Sequence, residues 1–111
     1  MRTLVSSVAL ACLAALAATP ARAQNVDELL KKHACLSCHA VDRELIGPSY
    51  KEVAAKYRGQ KDAQKTLVEQ VKKGSVGKWP NLKAKGVPMP GNPGVPDADA
   101  QAMVKYILSL K

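Results

Sequence analysis

The chain has 111 residues, with 17 Lys or Arg against nine Asp or Glu for a net charge of +8, and it carries no Phe, one Trp and three Tyr. That length allows one small domain, and so few aromatic residues leave little with which to fill its core. The positive excess favours an acidic partner, but no recognition motif accompanies the lysines, so a nucleic-acid partner is not expected.

Met1-Arg2-Thr3 is a short positive start, and Leu4 to Ala18 is a mostly apolar run without charge. Thr19-Pro20-Ala21-Arg22-Ala23 then ends in the small-x-small pattern that signal peptidase reads. Residues 1–23 are therefore read as a secretory signal peptide and 24–111 as the mature domain. The apolar run holds about fifteen residues where a spanning helix needs about twenty, and two serines interrupt it, so no stable membrane anchor is expected. Cys12 lies within this leader and is expected to leave with it. Export places the remaining Cys35 and Cys38 in an oxidising compartment. The mature segment keeps fifteen basic and nine acidic residues, and residues 51–85 alone hold ten Lys or Arg and three acids. Such a field attracts acidic protein surfaces and raises encounter rates.

Val26 to Ala34 predicts a helix, with Asp27 and Glu28 in its first turn and lysines near its end, matching the helix dipole. It runs straight into Cys35-Leu36-Ser37-Cys38-His39. Ile46-Gly47-Pro48 is a break, after which Ser49 caps a short helix through Tyr50, Val53, Ala54 and Tyr57, closed by Gly59. Asp62 starts a third helix with Leu67, Val68 and Val71 on one face and Gly74 as its stop. From Gly74 to Pro96, five glycines and five prolines fall within 23 residues, which denies both helix and regular strand. Asp97 opens a last helix in which Met103, Val104, Ile107 and Leu108 recur at three and four, leaving Lys105 and Ser109 outward. The expected fold is all-α, about four short helices, with no strand.

Two thiols and an imidazole within five residues carry the chemistry. Cysteines three apart on one helical turn project side by side, so their sulfurs can reach two substituents on the edge of one flat ligand. The two vinyl groups of a haem suit that spacing, and a histidine directly after the second cysteine falls beneath the ring centre, where its nitrogen can bind iron. A redox dithiol would need a βαβ pattern, which is missing. Zinc would need a fourth ligand, and His33 is badly placed to close a tetrahedron. A bare disulfide would close a tiny loop and leave His39 unexplained. One haem c, bound covalently through Cys35 and Cys38, is the expected cofactor. A large apolar ligand also supplies the core that four aromatic residues cannot.

Iron needs a ligand on its other face, from His33, Met89 or Met103. His33 shares the tether of His39 and reads as a surface residue near a helix end. Met103 belongs to the apolar stripe of the last helix, where methionine fills core. Met89 stands as Val87-Pro88-Met89-Pro90, fifty residues after His39, between prolines that fix the backbone and aim one thioether.

These residues resemble a short bacterial class I cytochrome c of the cytochrome c-551 type. The likeness runs through the Cys35–His39 cluster, Ile46-Gly47-Pro48-Ser49-Tyr50-Lys51-Glu52-Val53-Ala54-Ala55-Lys56-Tyr57, Lys73-Gly74-Ser75, the Met89 loop with Asn92, and Lys105-Tyr106-Ile107-Leu108-Ser109. It implies helices wrapped around one covalent haem, with His39 and Met89 as axial ligands. It further implies that the Pro48 carbonyl holds the ring N–H of His39 and that Asn92 lies near the Met89 sulfur. Two departures stand out. Gln70 occupies the position where such proteins carry an arginine facing a haem propionate, leaving Trp79 as a candidate propionate donor and Lys72 or Lys78 as candidate substitutes. The Trp79 to Met89 stretch is also longer, by about the length of Asn81-Leu82-Lys83-Ala84-Lys85. The resemblance implies a soluble, monomeric electron carrier of the periplasm, not an enzyme, that serves a terminal reductase or oxidase and docks on acidic redox partners. The alternatives are a cytochrome subunit of a periplasmic dehydrogenase and a haem peroxidase.

Overall fold

The computed structural model describes residues 25–111. The signal-peptide reading of residues 1–23, with Cys12, lies outside the described residues. Four helices, a 3₁₀ turn and one strand pair follow in order: α1 (Val26–Lys32), the turn at Cys35–Ser37, α2 (Tyr50–Tyr57), α3 (Ala63–Lys73), β1 (Gly74–Ser75), β2 (Met89–Pro90) and α4 (Asp97–Leu108).

Short-range chemistry sets several helix ends. The Asn25 side chain accepts the Asp27 N–H and caps α1. Ser49 and Glu52 form a reciprocal capping box, in which the Glu52 N–H donates to Ser49 Oγ at 3.1 Å and the Ser49 N–H to Glu52 Oε2 at 2.8 Å. Two of the orphan donors at the start of α2 are thereby satisfied. Gly74, at φ 88°, ends α3 as expected. The amphipathic stripe of α4 packs against α1, α2 and α3, burying Ala100, Met103, Val104 and Ile107 with Leu30, Leu67, Val68 and Val95.

Three expectations are corrected. The first helix does not reach Ala34. It ends at Lys32, and Ala34 takes the left-handed conformation at φ 60°, which costs a non-glycine residue about 1–2 kcal/mol. That reversal separates α1 from the turn bearing Cys35 and Cys38. His33 is also not a surface residue: its side chain is 10% exposed, and Nε2 donates to Asp99 Oδ2 at 2.9 Å, joining α1 to the first turn of α4.

The third correction is the strand pair. Gly74 opposes Pro90 and Ser75 opposes Met89, antiparallel, in strands too short to leave an alternating pattern in the sequence. Side-chain-free backbone makes this approach possible. A Cβ on Gly74 would stand 2.7 Å from Met89 O, and one on Gly91 would stand 2.7 Å from Lys73 C and 2.9 Å from Lys72 O. Gly74→Ala is therefore expected to cost at least about 2 kcal/mol, combining left-handed strain with a backbone clash. Gly59→Ala, at φ 80° with nothing within 4 Å, carries the strain alone and should cost about half as much. Denaturant midpoints of the two variants give the comparison.

Candidate haem site

Cys35, opening the 3₁₀ turn, and Cys38, directly after it, are free thiols, half-buried and facing one cavity of about 350 Å³. Burial pushes the Cys35 thiol above its ordinary value, so it stays protonated near neutral pH. His39 follows on the same wall. Its Nδ1 lies 2.8 Å from Pro48 O, and since a carbonyl only accepts, Nδ1 carries the proton and the lone pair is left on Nε2. Burial lowers the His39 pKa, partly offset by that hydrogen bond, which favours the neutral ring that metal ligation requires.

Two neighbours fix the ring plane. Tyr50, positioned by the capping box, stacks on His39 with centroids 5.2 Å apart and planes 19° from parallel. Gly47 lies against the ring, where an added Cβ would stand 2.5 Å from Cε1. The residue before Pro48 must therefore be glycine if the imidazole is to keep its orientation.

Met89 borders the same cavity from β2, half-buried and held in register opposite Ser75. Met103 borders it too, but is 1% exposed within the α4 stripe. Asn92 is held by its backbone, its N–H donating to Val71 O at 2.9 Å. Its side chain donates to His33 O at 3.5 Å, which ties the Met89 loop to the end of α1.

At the end of the cavity formed by α2 and α3, Gln70 Nε2 donates to Tyr57 Oη at 3.0 Å, and both residues line the wall. Trp79 lines it as well, with the Lys56 ammonium 4.3 Å from its ring centroid and also donating to Lys78 O. Of the three candidate propionate partners, Trp79 and Lys78 reach the cavity. Lys72 does not: its ammonium pairs with Asp97 across the α3–α4 contact.

The cavity fits a flat, largely apolar group with a few polar edges. Ile46, Val76 and Val87, the large exposed aliphatics among the described residues at 45%, 75% and 55%, all stand on its rim, where an apolar occupant would cover them. The buried Tyr50 hydroxyl has no partner among the described residues, and burial pushes its phenol well above the ordinary value. No group of three or more His, Cys, Asp or Glu suited to a bare metal ion occurs among the described residues. Tyr50, Gly47 and the Tyr57–Gln70 pair escape sequence reasoning. The capping box places Tyr50 at a helix start, but no local signal shows that it meets His39.

A family model described as "Cytochrome c" matches residues 23–111. Cytochrome c-551 of Pseudomonas aeruginosa is 42% identical over 96 residues, 86% of this chain and 86% of the relative. The crystal structure of Nitrosomonas europaea cytochrome c552 superposes with a TM-score of 0.70 at 42% identity, covering 77% of this chain and 99% of that one. The class 1 cytochrome MtoD of Sideroxydans lithotrophicus gives 0.64 at 34% identity, covering 76% and 90%. The architecture is thus the class I cytochrome c fold, mostly helical with one small strand pair. On sequence, fold and site together, this chain belongs to the cytochrome c family of haem-bearing electron-transport proteins.

Proposed function

We propose that the mature chain is a soluble, monomeric, periplasmic monohaem c-type cytochrome that passes single electrons between respiratory donors and a terminal reductase or oxidase. In this reading Cys35 and Cys38 hold the haem as thioethers, and His39 Nε2 and the Met89 sulfur ligate its iron. The observation that carries it is the Nδ1–H to Pro48 O hydrogen bond, which leaves Nε2 as the free lone pair on the wall that also bears both thiols. Bound haem supplies the Fe(II)/Fe(III) couple.

The chain's own residues orient, shield and tune. Pro48, Tyr50 and Gly47 fix the imidazole plane, and such outer partners set ligand basicity. The β1–β2 pair fixes the methionine, and a thioether opposite histidine raises the reduction potential. His39 and Met89 together would hold a haem iron without leaving a position for a substrate, which favours a carrier over an enzyme. Among the described residues no helix is long and apolar enough to cross a membrane.

A denaturing pyridine spectrum of protein purified from a periplasm-competent host should show haem that acid–acetone does not extract. Two titratable thiols and no haem would support a thiol oxidoreductase instead. Docking should follow the basic tract between Lys51 and Lys85. Electron transfer to an acidic redox protein is expected to slow as salt rises from about 10 to 150 mM, because the screening length contracts from about 30 to 8 Å. A rate indifferent to ionic strength would remove the electrostatic part of the proposal.

A further inference from the structure

The stretch between Trp79 and Met89 is longer than the family resemblance leads one to expect, and its residues divide by parity. Pro80, Leu82, Ala84 and Gly86 line the cavity, whereas Asn81, Lys83 and Lys85 are exposed and do not. The segment thus has an apolar inner edge and a basic outer edge. It is also tied down. Glu44, two residues before the rim residue Ile46, accepts the Lys83 backbone N–H at 3.1 Å, linking the lip that carries Ile46 to the lip that carries Val87. At its other end, Lys56 holds Trp79 and Lys78 O.

We infer that residues 80–86 form an arm that Glu44 latches across the cavity mouth by its backbone, presenting Lys83 and Lys85 as a pre-ordered docking contact for an acidic protein surface. The latch uses the N–H of Lys83 and leaves its ammonium unspent. Neither Lys83 nor Lys85 makes an ion pair among the described residues, where only Lys72 and His33 do so. The nearby carboxylates are already engaged with backbone, Glu44 on Lys83 and Glu52 on Ser49. An ordered segment costs less to immobilise at encounter, and its unpaired ammonium groups stay available to a partner. The identity of the partner as a redox protein rests on the carrier reading; the latch itself does not.

The decisive experiment uses the holoprotein with Glu44→Ala, Glu44→Gln and Lys83→Ala/Lys85→Ala. The Lys83 amide should be protected from hydrogen exchange in wild type, exchange about fivefold faster or more in Glu44→Ala, and recover part of its protection in Glu44→Gln. Association with a blue-copper protein of net negative charge, followed by stopped flow at low salt, gives a second reading whose sign discriminates. Glu44→Ala removes one negative charge, so charge alone makes association faster; the latch makes it slower, by about twofold or more, because the arm must order on binding. The lysine pair should slow it further. A Lys83 amide equally unprotected in all variants, a faster association for Glu44→Ala, or tight arm-dependent binding to phosphatidylglycerol vesicles with none to the copper protein would each overturn the inference. The carrier reading stands or falls separately, on the haem spectrum and on reduction by dithionite.

Discussion

Met89→Ala is expected to abolish the weak ferric sulfur-to-iron absorption band, lower the reduction potential and open the ferrous protein to carbon monoxide. The expectation follows from elimination among three side chains that could reach iron. His33 is committed to Asp99 at 2.9 Å and stands 10% exposed between α1 and α4. Met103 is 1% exposed within the packed stripe of α4, and turning it toward another partner would leave a hole there. Met89 alone is presented to the cavity by a segment whose position is fixed by something other than its own side chain, the β1–β2 pairing that Gly74 and Gly91 permit. Loss of an axial thioether moves the potential within the roughly 0.8 V span over which axial ligands tune haem. Met103→Leu conserves volume and should cost under about 1.5 kcal/mol with the spectrum intact. Ready binding of carbon monoxide by wild type, or an unchanged spectrum in Met89→Ala, would move the peroxidase alternative ahead of the carrier.

Replacing both Cys35 and Cys38 should have the largest effect on stability. In a Cys35→Ala/Cys38→Ala variant secreted to the periplasm, little helical signal and no cooperative melting are expected. The cavity is about 350 Å³, and at about 24 cal/mol per Å³ of unfilled space a chain that did not collapse around it would forfeit about 8 kcal/mol. Domains of this size have about 5–15 kcal/mol in total, so the loss is comparable to everything that holds the fold. Collapse offers little relief. The walls come from α1, the 3₁₀ turn, α2, α3, the 79–89 segment and α4, and with no Phe and one Trp in the sequence there is little spare side-chain volume to move inward. Far-ultraviolet circular dichroism with a thermal scan reads the result directly. A haem-free chain melting as cooperatively as the holoprotein would show that the helices carry the fold without their ligand.

What the sequence determined by itself is what acts within a few residues. The capping box of Ser49 and Glu52, the glycine that stops α3, the apolar recurrence of α4 and the Cys35–His39 spacing depend on hydrogen bonds and helical geometry spanning four or five positions, so their order along the chain already contains them. The identity of Met89 as the candidate ligand was legible for a similar reason, since its two flanking prolines constrain it locally. The tertiary structure alone decided the rest. His33 and Asp99 lie 66 positions apart, Glu44 and Lys83 lie 39 apart, and Lys56 and Lys78 lie 22 apart. None of these pairs leaves a periodic trace, because each exists only where α4, the cavity lips or α2 bring two unrelated stretches into contact. The same holds for the two-residue strands that position Met89 and for Lys72, whose approach to Asp97 rather than to the cavity was set by the packing of α3 on α4. Local chemistry placed the thiols and the imidazole; long-range packing chose what faces them.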